Sequence, residues 1–210
     1  MIVDYGLGNL FSLERAVQHL GFSCGISQDP GEIKNATRLL LPGVGAFGDG
    51  MRGLNEKGLV PVLGEWVRSG RPLLGICLGM QLLFSESEEF GRHRGLGWVP
   101  GRVVRFQNAE GGGFPAYKVP HVGWSGLEPA PLKDWSEGLL KGIPSGESAY
   151  FVHSYYACPE DPADVLAVTH YAQVDYCSAI QRGNVYGTQF HPEKSGSAGL
   201  RILKNFLEGP

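Results

Sequence analysis

Apolar positions along the chain follow two spacings. Short apolar-rich runs at residues 1–4, 22–26, 38–41 and 73–76 read as strands. Between them, Leu10, Leu13, Val17 and Leu20, then Leu59, Val60, Leu63, Trp66 and Val67, recur at helical spacing. Gly21 and Gly70 end these two helices. Strands alternating with helices predict a parallel sheet covered on both faces, with ligands taken at the carboxyl ends of the strands. From about residue 97 the pattern changes. Runs at 98–106, 118–122, 149–152, 165–170, 177–181 and 185–190 read as short strands with little helix between them, which predicts antiparallel strands extending the central sheet. A last helix over 197–207 carries Leu200, Leu203, Phe206 and Leu207 on one side and packs back on the sheet. Residues 108–116 form a Gly-rich excursion. There is no internal repeat and no interdomain linker, so residues 1–210 are expected to fold as one α/β domain.

The run feeding the middle of the sheet ends in Gly75-Ile-Cys-Leu-Gly79, with a helical pattern beyond. Glycines two residues before and after Cys77 give a sharp strand-to-helix elbow the room it needs. A thiol at that apex sits at a helix N-terminus, where the partial positive charge favours thiolate and free backbone N–H groups face whatever the sulfur attacks. A lone cysteine is more often a small core residue, and the glycine bracket is what favours a nucleophile here.

A cysteine nucleophile needs a base, and a carboxylate to orient that base. Far down the chain, in Val185-Tyr-Gly-Thr-Gln-Phe-His-Pro-Glu-Lys-Ser195, a β-rich run delivers His191, and Pro192 fixes the backbone before Glu193. A histidine of ordinary pKa near 6.5 suits proton transfer at neutral pH. A surface His and Glu beside a helix start is the bland alternative; two half-motifs at strand ends outweigh it.

Composition narrows the function classes. The formal charge is −3, hydrophobic residues make up 42% and charged residues 19%, and Lys and Arg are scattered rather than striped. That excludes a nucleic-acid footprint, and no apolar run is long enough to cross a bilayer. The four cysteines, Cys24, Cys77, Cys158 and Cys177, have no C-x-x-C spacing and follow no signal peptide. Neither a metal site nor a disulfide framework is expected, and a reducing cytoplasm fits. No cofactor is implied. The 32 glycines are the excess, clustered at the ends of strands, where tight turns and close ligand approach need them.

These motifs together resemble the class I (triad-type) glutamine amidotransferases, over essentially the whole chain. Within that family the likeness is to the glutaminase subunits of imidazole glycerol phosphate synthesis. It rests on Asp4-Tyr-Gly-Leu-Gly-Asn9, Leu41-Pro-Gly-Val-Gly-Ala-Phe-Gly-Asp49, the Gly75 elbow, Pro120-His-Val-Gly-Trp124, Tyr150-Phe-Val-His-Ser-Tyr155 and Gln189-Phe-His-Pro-Glu-Lys-Ser195. Two departures stand out: the first strand looks a few residues short of the family's, and Ser125 stands where members often have Asn.

The resemblance implies a three-layer, flavodoxin-like mixed sheet with helices on both faces. It implies hydrolysis of the side-chain amide of L-glutamine by Cys77, His191 and Glu193. The oxyanion donors would be the N–H of Leu78 and a peptide of the Val44–Gly45 loop, which is thought to switch in this family; from sequence alone the loop is a plain turn. Gln81, one helical turn beyond Cys77, would hold the amino-acid end of glutamine, with Glu89 on its ammonium and the backbone of Ser154 and Tyr155 on its carboxylate. Unaided, Glu89 reads as part of the solvated run 86–89, and His153 as equally a satisfied core histidine. The implied partner is a (β/α)8-barrel cyclase, in a heterodimer, using the ammonia to make imidazole glycerol phosphate and an aminoimidazole carboxamide ribotide. Asn9, Pro120, Trp124, Tyr150 and Lys194 match the side that meets it, although Trp124 reads equally as core packing. Two rivals keep the fold: a glutaminase serving an enzyme that amidinates surface sugars, and a stand-alone γ-glutamyl hydrolase.

Overall fold

A computed structural model describes residues 1–107, 117–131 and 133–209. The Gly-rich excursion at 108–116 lies outside them. Five parallel strands form the first half of the sheet: β1 (Ile2–Val3), β2 (Ile26–Ser27), β3 (Leu39–Gly43), β4 (Leu73–Cys77) and, from the far end of the chain, β13 (Val185–Thr188). Their order is β2-β1-β3-β4-β13, the doubly wound arrangement in which the order reverses beside β1. The intervening helices are α1 (Leu10–His19), α2 (Pro30–Asn35), α3 (Phe47–Glu56), α4 (Leu59–Arg68) and the short α5 (Leu78–Leu82).

Alternation along the strands builds two cores. Ile2, Leu40, Leu74 and Ile76 join Leu13 and Val17 of α1 and Ile202, Leu203 and Phe206 of α6 (Gly196–Glu208). Val3, Leu39, Leu41 and Leu73 join Ile33, Leu54, Leu63, Trp66 and Leu78 of α2 to α5 on the opposite face. The result is the expected three layers. No helix among the described residues is long and apolar enough to cross a membrane.

Beyond β13 the sheet continues through β12 (Val174–Arg182), β10 (Tyr155–Pro159) and β7 (Val99–Arg105) in antiparallel register, then β5 (Phe84–Ser87), parallel to β7, and β6 (His93–Arg94). β11 (Val165–Tyr171) pairs with β12 and with β8 (His121–Pro129), which pairs in turn with β9 (Glu147–His153). The antiparallel extension is as expected from sequence, with three refinements. Residues 22–25 are not strand; Phe22 and Cys24 pack on the first core, and pairing starts only at Ile26 with Ile2. The expected strand at 118–122 begins later and runs to Pro129, and the one at 185–190 stops at Thr188. α3 carries Gly48, Gly50 and Gly53, residues that weaken a helical pattern. They are needed for contact: a Cβ on Gly53 would collide with the carbonyl oxygen of Tyr5, and one on Gly50 would lie 3.1 Å from Leu82.

Candidate active site

Cys77 ends β4 with φ +55° and ψ −110°, a conformation L residues avoid, and α5 starts at the next residue. The bracket of glycines permits this. A Cβ on Gly75 would lie 2.6 Å from the carbonyl oxygen of Gly79, and one on Gly79 would collide with the carbonyl oxygen of Leu41. The strained elbow therefore closes only with hydrogen at both positions, and it leaves the sulfur, 6% exposed as a residue, at the carboxyl end of the sheet.

His191 follows β13, the strand beside β4, in parallel register to Thr188 and Ile76. Its Nδ1 donates to Glu193 Oε1 at 2.8 Å, and both side chains are 3% exposed. The backbone N–H of His191 is held by the carbonyl of Tyr150, and its carbonyl accepts from Ser195 Oγ. Burial alone would lower the histidine's pKa; the Cys77 sulfur and the Glu193 carboxylate outweigh it and raise it to about 10. Nε2 is buried and makes no hydrogen bond of good geometry, so it is the ring nitrogen free to serve the Cys77 sulfur. Nucleophile-to-base bonds commonly tighten only in the complex with substrate.

In front of the sulfur is a pocket of about 200 Å³ lined by Val44, Gly45, Cys77, Leu78, Gln81, Glu89, Val152, His153, Ser154 and Tyr155. That is room for a small polar molecule, given roughly 30 Å³ per water. All eight residues read from sequence as nucleophile, oxyanion donors or glutamine contacts meet here. Val44 is 40% exposed and Gly45 has φ +107°. Glu89 accepts from the N–H of Phe47, the first residue of α3, at 2.6 Å. It is thus a placed group rather than part of a solvated run, and burial, ahead of the opposing Phe47 bond, raises its pKa. Gln81 is more committed than its spacing suggests. Its Nε2 donates both to the carbonyl of Tyr155 at 2.8 Å and to Gln189 Oε1 at 2.9 Å, leaving its carbonyl oxygen for a ligand.

Residues read as partner-facing are exposed or half-buried. Pro120 is exposed, Trp124 is 58% exposed and stacks edge-on with Tyr150 at 6.0 Å, and Lys194 is exposed while Asn9 is half-buried. Val122 and Val152 pair across β8 and β9 and are exposed too, so the apolar face continues to the rim of the pocket. Ser125 Oγ meets His121 Nε2 at 3.0 Å. His153 is the satisfied core histidine: it donates from Nδ1 to the carbonyl of Tyr155, and burial lowers its pKa to about 3.

All four cysteines are free. Burial raises the pKa of Cys24, Cys158 and Cys177. Two site residues have no role in the sequence reading. Gln189 Nε2 donates to the Cys77 sulfur at 3.7 Å, and the buried hydroxyl of Tyr5 packs against Gly43 with no hydrogen-bond partner. Gln189 had a signal: it stands two residues before His191, the spacing that returns a side chain to the same face of an extended run.

The chain is 50% identical over 209 residues to the imidazole glycerol phosphate synthase subunit HisH of Syntrophotalea carbinolica, covering 98% of both chains. It is 51% identical over 209 residues to that of Geobacillus kaustophilus, covering 98% of this chain and 94% of the relative. Among solved structures, a glutamine amidotransferase superposes with a TM-score of 0.72 at 20% identity, over 99% of this chain and 97% of that one. PurLQS from Thermotoga maritima superposes at 0.71 and 19% identity, over 98% and 95%. The sequence model of glutamine amidotransferase class-I matches residues 1–209, and the chain belongs to that family.

Proposed function

We propose that this chain hydrolyses the side-chain amide of L-glutamine at Cys77, as the glutaminase subunit of imidazole glycerol phosphate synthesis in the cytoplasm, and hands the ammonia to a cyclase subunit. The single observation that carries the chemistry is the meeting, at one pocket, of a strained cysteine elbow with a buried His191–Glu193 pair. The pathway and the partner rest on the name borne by relatives about half identical over nearly the full length.

The steps follow from the groups present. The proton of the Cys77–His191 pair rests on the imidazole, as its raised pKa requires, and the sulfur attacks the amide carbon. The oxyanion is met by the N–H of Leu78 and by a peptide of the Val44–Gly45 loop, each such donor being worth about 3 kcal/mol in barrier height. His191 returns the proton as the C–N bond breaks, and ammonia leaves. Water then attacks the γ-glutamyl thioester with His191 as base, releasing glutamate and restoring the Cys77–His191 pair with its proton. Glu193 holds the imidazole and balances its charge throughout. The Gln81 oxygen and Glu89 both suit the substrate ammonium, with the Ser154–Tyr155 backbone at its carboxylate. Ammonia set free in water is largely protonated and no longer nucleophilic, which is the reason for a docked acceptor. The heterodimer with a (β/α)8-barrel cyclase would use the apolar face around Trp124, Tyr150 and Val122, flanked by Asn9, Pro120 and Lys194.

The test is glutamate release by the chain together with its cyclase. Cys77→Ala is expected to abolish it, and a glutamine-mimicking electrophile is expected to label Cys77 alone. A label on Cys24, Cys158 or Cys177 with Cys77 untouched overturns the assignment.

A further inference from the structure

Three hydrogen bonds from side-chain amides beneath the pocket fix one orientation. The carbonyl of Tyr155 can only accept, so the group facing it at 2.8 Å is the Gln81 Nε2. The second hydrogen of that nitrogen goes to Gln189 at 2.9 Å, so Gln189 must present its oxygen there. Its NH2 is then turned to the remaining neighbour, the Cys77 sulfur, at 3.7 Å. Gln189 is fully buried, and its backbone N–H is tied to the carbonyl of Ser178 on β12. An amide donor held this firmly against a reactive sulfur does more than fill space.

We propose that Gln189 is a catalytic residue whose Nε2–H hydrogen-bonds the Cys77 thiolate, selecting the anionic nucleophile and aiming it into the pocket. The inference rests on the functional reading above. A hydrogen bond from a neutral donor is stronger to an anion than to a thiol, so it favours the charged form. The groups that face or surround the sulfur and can titrate are His191 and Glu193 beyond β13, Tyr5 after β1, Tyr176 on β12, and His153 and Glu89 across the pocket. Gln189 is not one of these: its amide is neutral at every pH, so its donation to the sulfur does not itself change with pH.

The experiment is the rate of Cys77 alkylation by iodoacetamide as a function of pH, followed by mass spectrometry on the full chain. Two variants separate donation to sulfur from simple support of Gln81. Gln189→Glu keeps the shape and the acceptor for Gln81 but sets a carboxylate against the sulfur; Gln189→Met removes donor and acceptor together. The midpoint of the profile, which belongs to the Cys77–His191 pair, is expected to rise by about one pH unit in Gln189→Met, a tenfold loss of rate below the midpoint, and by more in Gln189→Glu. Circular dichroism identifies which variant is folded, and a folded one of either kind decides. A profile identical to wild type in a folded variant overturns the inference while leaving the functional reading intact. Failure of the wild-type chain to be labelled at Cys77 overturns that reading, and the inference with it.

Discussion

His191 and Glu193 are separated by one proline, yet their side chains meet at 2.8 Å with almost no exposure to solvent. Pro192 and the single 3-10 turn it starts bring the carboxylate back to the Nδ1 side of the ring. The other ring nitrogen is left for the sulfur. A carboxylate in this place steers and balances charge; it does not carry the proton.

Glu193→Gln should therefore fold and retain more activity than Cys77→Ala or His191→Ala, because an amide still reaches the ring but no longer balances its charge. In the proposed mechanism the three groups act as a unit, so His191→Ala combined with Cys77→Ala should be hardly worse than either alone. Glutamate release by the four variants is the measurement. Full activity in Glu193→Gln would remove it from the mechanism.

The sequence carried this site well and parts of the fold poorly, for separate reasons. The elbow and the His-Pro-Glu turn are legible because each needs particular residue types, as with Gly79, where a Cβ would meet the Leu41 carbonyl; the Val44–Gly45 loop read only as a turn. α3 hid because its glycines serve contact with Tyr5 and Leu82 rather than helix propensity. β5 and β6 hid because Phe84–Ser87 and His93–Arg94 hold one apolar residue between them, whereas the equally short β3 and β4 are buried throughout and read as apolar runs. Trp124 and Glu89 were ambiguous for another cause. Composition cannot say which face of β8 meets solvent, or that a carboxylate in an acidic run turns inward to the N–H of Phe47.

Tyr5→Phe should stabilise the protein. The Tyr5 hydroxyl is buried against Gly43 without a partner, and burial, then the nearby Cys77, raises its pKa, so it remains a neutral donor with nothing to bond. Removing a buried unsatisfied hydroxyl recovers on the order of 1 kcal/mol. A urea unfolding midpoint above that of wild type is the expected result. A lower midpoint would mean that the hydroxyl has a stabilising partner.

Stability should fall as the pH drops below about 6.5. Burial lowers the pKa of His121 to about 4 and that of His153 to about 3. Both rings are neutral in a chain of hydrogen bonds that runs through the Tyr176 hydroxyl, at 3.2 Å from His121 Nδ1 and 3.3 Å from His153 Nε2. Between pH 6.5 and about 4 the unfolded chain binds protons at these positions and the folded chain does not, so the loss begins at the unfolded value and continues downward. Each such histidine withdraws at most about 1.4 kcal/mol per pH unit in that window. His191 has the opposite sign. Its raised pKa means it is protonated in both states below 6.5, where it adds no slope, and its stabilising share is lost as the pH rises from there toward about 10. Urea midpoints at pH 7.5, 6.0 and 5.0 test this, and Tyr176→Phe, which cuts the link between the two rings, should leave the direction unchanged. A flat profile from 7.5 to 5.0 would refute the neutral assignment.

The final prediction concerns coupling between the two active sites. The chain alone should hydrolyse glutamine feebly, and docking on a cyclase that holds its nucleotide substrate should raise the rate by orders of magnitude. The motive is the Val44 peptide, flanked by Gly43 and by Gly45 at φ +107°, at the rim of the pocket. Glycine on each side lets that peptide present either its carbonyl or its N–H to the oxyanion with little steric cost. Two such states separated by roughly 3 to 4 kcal/mol account for a few hundredfold in rate, the usual value of one oxyanion donor. A bound partner supplies that much only by favouring one state over the other. The exposed face carrying Val122, Trp124 and Val152 reaches the pocket through Val152, so contact there adjoins the loop across the mouth of the site. Steady-state glutamate production is measured for the chain alone, with empty cyclase, and with cyclase plus nucleotide. If the three rates agree within a factor of about two, far below the tenfold that 1.4 kcal/mol produces, neither the switch nor the partnership stands.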